Sequence, residues 1–166
     1  MHVLALFRAV VATRQGLRLG RGGELVGSAR VSALLLALCI GFVSGLRTFT
    51  PLAAVLLARG SVWGIVLSIA AVGEYVADAL PNTPSRTRAM GLSVRVASGA
   101  FVGWTIATMH GGSGILGALG GIAGAVIGAY AGLAGRLAAS ARLGAYPAAI
   151  GEDLVAIGLA AFIVTR

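Results

Sequence analysis

The chain has 166 residues, 58% of them hydrophobic and only 11% charged, with a mean hydropathy of +0.95. A water-soluble domain uses about 45–50% apolar and roughly 25% charged residues, so this composition excludes an ordinary soluble globule and implies an all-α integral membrane protein whose first partner is the lipid bilayer. The formal net charge of +8 comes from 13 basic residues, all arginine, against five acids; on so apolar a chain it is a topology signal, and nucleic acid is not an expected partner.

Residues 1–30 read as a basic N-terminal extension. Arg8, Arg14, Arg18, Arg21 and Arg30 are spread through it, whereas a signal peptide concentrates its charge ahead of the apolar stretch. A surface-lying or irregular extension is expected, followed by a single transmembrane helical domain over 31–166. A span needs about 20 apolar residues. Residues 31–46 are barely long enough, and "GLRTFTP" then breaks the run with Arg47 and Pro51. Residues 52–58 are too short to cross, and Arg59-Gly60-Ser61 interrupts again. Good spans follow at 62–80, 92–109, 115–137 and 148–164, separated by "PNTPSRTRAMG", a turn at His110 and "AASARLGAYP". The predicted architecture is a polytopic bundle of six helical segments: five spans plus a short re-entrant or broken helix.

The arginines choose between the two topologies. If 49–59 crosses, they divide seven to six between the faces. If it dips in and returns, ten share one face and only Arg47, Arg59 and Arg166 lie opposite. The second fits the positive-inside rule and puts the N-terminus in the cytoplasm, in the inner membrane of a bacterium. Gly45, Thr48, Thr50 and Pro51 supply a bend, hydroxyls and a helix start for such a segment.

"GALGGIAGAVIGAYAG" carries Gly120, Gly124, Gly128 and Gly132 at every fourth position. This is a small-residue stripe for close helix packing. Its partner helix could lie in the same chain or in a second copy, and a homodimer or higher homo-oligomer is expected.

The five acids are Glu24, Glu74, Asp78, Glu152 and Asp153. A carboxylate at membrane depth costs about 2.5–3.5 kcal/mol on insertion scales, so each needs a partner or a role. Glu74 and Asp78 share a helix face but sit near a helix C-terminus, where the dipole opposes them. Glu152 and Asp153 fall early in the last span, where it favours them. Both clusters converge on one leaflet with Arg86, Arg88, Arg95 and Arg136. Two readings stay open: an interfacial lattice of ion pairs, or a polar cavity for an ion or headgroup. The candidate site residues are Glu74, Asp78, Glu152, Asp153, Arg47, Thr50, Arg86 and Arg95. No nucleophile elbow, phosphate loop or metal-spaced His/Cys cluster occurs, so no enzyme and no cofactor is expected. Glu74 and Asp78 leave a divalent metal open.

Taken together, "GLRTFTPLAAV", "EYVADALPNTPSRT", "RVASGAFVG", the glycine-rich run and the final "EDLVAI" resemble a bacterial family called domain of unknown function 4126. The likeness runs in order over about 32–165. It implies a small polytopic membrane protein and carries over Gly45, Arg47, Thr50, Pro51, Glu74, Asp78, Pro81, Pro84, Ser85, Arg86, Thr87, Arg95, Glu152 and Asp153. That family often has Lys after the Asp of its second motif; here the position is Ala79. The resemblance supplies no activity. The residues point to a transporter or channel for a small ion or solute; alternatives are a protein that binds or moves an anionic lipid or polyprenyl phosphate, and a structural assembly protein.

Overall fold

The computed structural model describes residues 24–79 and 89–166, with side chains for 30–77 and 89–166. Among these residues there are six α-helices and no strand: α1 (Glu24–Leu46), α2 (Phe49–Ala58), α3 (Val62–Ala79), α4 (Ala89–Met109), α5 (Gly114–Leu143) and α6 (Ala145–Val164). The six expected segments are present. Helix α1 begins at Glu24, inside the stretch read as an extension.

The scaffold is the triple α1–α4–α5, joined along glycines. A Cβ on Gly121 would overlap the backbone of Gly99 on α4, and a Cβ on Gly41 of α1 would overlap Gly121 itself. Gly124 and Gly128 meet the α1 backbone at Leu38 and Phe42, and Gly103 meets Gly117. Lipid tails give no hydrophobic drive between helices, so close backbone approach and van der Waals contact hold such seams. Gly120, Gly124 and Gly128 are buried and Gly132 is half-buried. The stripe is therefore used within the chain, and it no longer argues for a homodimer.

The remaining helices lean on this triple. Val55 of α2 is fully buried in one apolar cluster with Ile40, Val43, Ile106, Ala160 and Ile163. The chain therefore turns back after residue 48, and α2 runs toward the end of the bundle that holds the 110–113 turn. Gly60, at φ 69°, makes the next reversal, and α3 packs along α2 with Gly64 against Leu57.

This path corrects the expected topology. The dipping model put Arg47 on the face opposite the C-terminal end of α3. Instead the amides of Thr48 and Phe49 bond to Glu74, five residues before the end of α3. Arg59 and Arg166 lie toward the end where α1 begins. Arg47, Arg95, Arg136 and Arg142 lie toward the other, and the arginines no longer orient the protein.

Among the described residues three helices, α4, α5 and α6, are long and apolar enough to cross a membrane, where five were expected. The described apolar parts of α1 (Arg30–Leu46) and α3 (Val62–Ala77) are shorter. Large apolar side chains face outward throughout, among them Leu35, Trp63, Ile69, Trp104, Leu119 and Leu154. Such a surface fits a bilayer, since soluble monomers rarely expose wide apolar patches.

Candidate functional site

The break between α1 and α2 strips hydrogen bonds from two helix ends inside the bundle. The last carbonyls of α1 and the first amides of α2 need partners, and away from water an unsatisfied group is costly. Charged side chains from other helices supply them. Arg95 of α4 donates through Nη1 to the Gly45 and Leu46 carbonyls at 3.1 and 2.9 Å. Glu74 of α3 accepts from the Thr48 amide at 2.9 Å and from the Phe49 amide at 3.0 Å, one on each carboxylate oxygen. Ser98 donates to the Thr48 carbonyl at 3.0 Å, and Ser44 to the Arg95 carbonyl at 3.1 Å. A cation thus sits on a helix C-terminus and an anion on a helix N-terminus, the favourable sense for both dipoles. Nη2 of Arg95 lies 3.6 Å from Glu74, so the two capping charges also face each other.

Arg47 lies in the break and is fully buried. Its Nε donates to Oδ1 of Asp153 at 2.6 Å, and Nη2 lies close to the same oxygen. Its guanidinium also stands 5.2 Å from the centre of the Tyr75 ring, within cation–π range. The Tyr75 hydroxyl and Thr50 Oγ1 share a 2.6 Å hydrogen bond. Asp153 is the less enclosed partner, with 19% of its side chain exposed. Arg136 and Glu152 form a further pair at 3.7 Å.

The structure brings Arg47, Thr50, Glu74, Arg95 and Asp153 together. Glu152 is separated from them: successive helical residues project about 100° apart, so the two acids of "ED" serve different arginines. Asp78 lies in the last turn of α3, but its side chain, like Arg86 and Arg88, falls outside the described residues. Sequence reasoning missed Ser44, Ser98 and Tyr75. Ser98 was findable, since it lies three residues after Arg95 on the same helix face. Tyr75 carried no such signal beside Glu74. Among the described residues no three His, Cys, Asp or Glu converge as a metal site.

The fold and the buried ion pairs define an α-helical membrane protein with a discontinuous helix at its polar centre. No protein family, curated protein or solved structure matches the chain.

Proposed function

We propose that the protein is a multi-pass protein of a bacterial cytoplasmic membrane that moves a small ion or solute past the α1–α2 break. In this reading α3, α4, α5 and α6 cross the bilayer beside α1, which ends at the break inside the bundle, and the short α2 carries the chain back toward the face where α1 begins. The observation that carries it is the Arg47–Asp153 pair, ionisable and seated where a helix is interrupted. Charged residues and broken helices at membrane depth mark substrate and ion paths. Kinship with the domain of unknown function 4126 is part of the proposal. Its support is that five residues of the resemblance, Arg47, Thr50, Glu74, Arg95 and Asp153, meet at one point.

The test is flux of sodium, potassium, chloride and protons in liposomes containing the full chain. Wild type is expected to exceed protein-free liposomes for at least one of these ions. Asp153→Asn should lose that flux while keeping the helical content of wild type. Absence of any flux in wild type would overturn the reading.

A second reading is favoured by Glu74, whose two oxygens are both engaged by backbone amides. Here the charges only fasten a broken helix, and the protein is a structural membrane component. It requires the Asp153 and Glu74 substitutions to change melting temperature with no flux to lose. The lipid-phosphate reading loses Arg95, which is buried and committed to carbonyls.

A further inference from the structure

Resting on the transport reading, we infer that the ligand of this site is a proton, taken up by Asp153 at its contact with Arg47. The three acids whose side chains are described inside the bundle are not equivalent. Glu74 is held by two backbone amides and faces Arg95, so protonating it would uncap α2. Glu152 is nine-tenths buried and faces Arg136. Asp153 touches no backbone donor in its described contacts. It is reached by the Arg47 side chain and is about one-fifth exposed. It is the most exposed of the three, and its neutralisation weakens a side-chain contact without unmaking a helix end.

Arg47 has a second place to go. Asp153 stands on α6 and the Tyr75 ring on α3, and the guanidinium touches both. Helices α3 and α6 otherwise meet over little surface, so Arg47 is a main tie between them. The other charged and titratable groups around Asp153 are Glu152 on its own helix, Arg136 on α5, and Tyr75 on α3, with Glu74 beyond it. From α4, Arg95 faces Glu74.

The step balances simply. The Asp153 carboxylate takes one proton from water and becomes a neutral carboxyl. Arg47 keeps its charge, since a guanidinium does not deprotonate in proteins, and the centre gains one positive charge. The Arg47–Asp153 attraction weakens, and with it one tie between α3 and α6. Loss of the proton restores the pair.

Infrared difference spectroscopy on the full-length protein in liposomes over a pH series tests this. The chain has two aspartates, Asp78 and Asp153, so with carbon-13-labelled aspartate a label-sensitive band present in wild type and absent in Asp153→Asn belongs to Asp153. The expected result is a protonated-carboxyl band that grows as pH falls, shifts to lower frequency with the label, and persists in Glu152→Gln. Proton flux in the same liposomes, lost in Asp153→Asn and retained in Asp153→Glu, completes the proposal. A flux of another ion with no Asp153-dependent band would leave transport standing and overturn the proton. The band without any flux would support protonation of Asp153 and overturn transport. Absence of both overturns both.

Discussion

Glu74 is placed against the dipole of its own helix and with the dipole of another. It lies near the C-terminal end of α3, where a negative charge is disfavoured, yet its carboxylate covers the N-terminus of α2. Hydrogen bonds to a charged group contribute about 1.5–3 kcal/mol each, which is enough to offset its position. Glu74→Ala would leave two amides open and remove the carboxylate that Arg95 faces. Breaking a buried charged contact typically costs about 3–5 kcal/mol, so the melting temperature in detergent should fall well below wild type, and Glu74→Gln should fall between them. Equal melting of all three would show that water caps α2. Arg47 and Asp153 call for a double-substitution cycle. Residues in one network couple by about 0.5–3 kcal/mol, so Arg47→Met with Asp153→Asn should destabilise less than the two single changes added. Simple additivity would mean that the pair is not energetically linked.

At the scale of helices, glycine does two different things. On the inner seams Gly41, Gly99, Gly121 and Gly124 have another backbone where a Cβ would stand. Even Gly121→Ala must push α4 off α5, and overpacking costs about 1–3 kcal/mol or more. Gly158 has nothing within reach of an added Cβ; there alanine improves helix propensity by about 0.8–1 kcal/mol. Gly121→Ala should therefore lower the melting temperature in detergent, and Gly158→Ala should hold or raise it. A reversal of that order would mean the seams are looser than drawn. The stripe at 120, 124 and 128 was legible because the period of a helix writes it into the sequence. That α1 is its partner was not, because Gly41 and Gly45 stand in an unremarkable apolar run. The same limit applies to the charges. Arg47, Glu74, Arg95 and Asp153 announce themselves by rarity, whereas their pairing depends on which helix ends meet. The dipole of α2 acting on Glu74 cannot be read before the return of α2 is known.

For the molecule as a whole, the direction of α2 decides everything about sidedness. Counting arginines favoured a dipping segment because it treated 49–59 as either a full crossing or none. A ten-residue helix is about 15 Å long, half of a 30 Å hydrocarbon core, and it still carries the chain back because α1 ends inside the bundle at Arg47 and not at a surface. Arg59 then lies toward the start of α1 and the end of α6, away from Arg142. A thiol scan on a chain whose native thiol is removed by Cys39→Ser measures this. Single cysteines at 59, 111 and 166 should react with a membrane-impermeant reagent from one side of the membrane, and cysteines at 142 and 144 from the other. Position 47 should stay silent from both sides until the protein is unfolded, because its side chain is wholly enclosed. Labelling of 59 together with 142 from the same side would restore the dipping arrangement. It would also be incompatible with Glu74 capping α2, since the residue that closes the break would then lie across the bilayer from it.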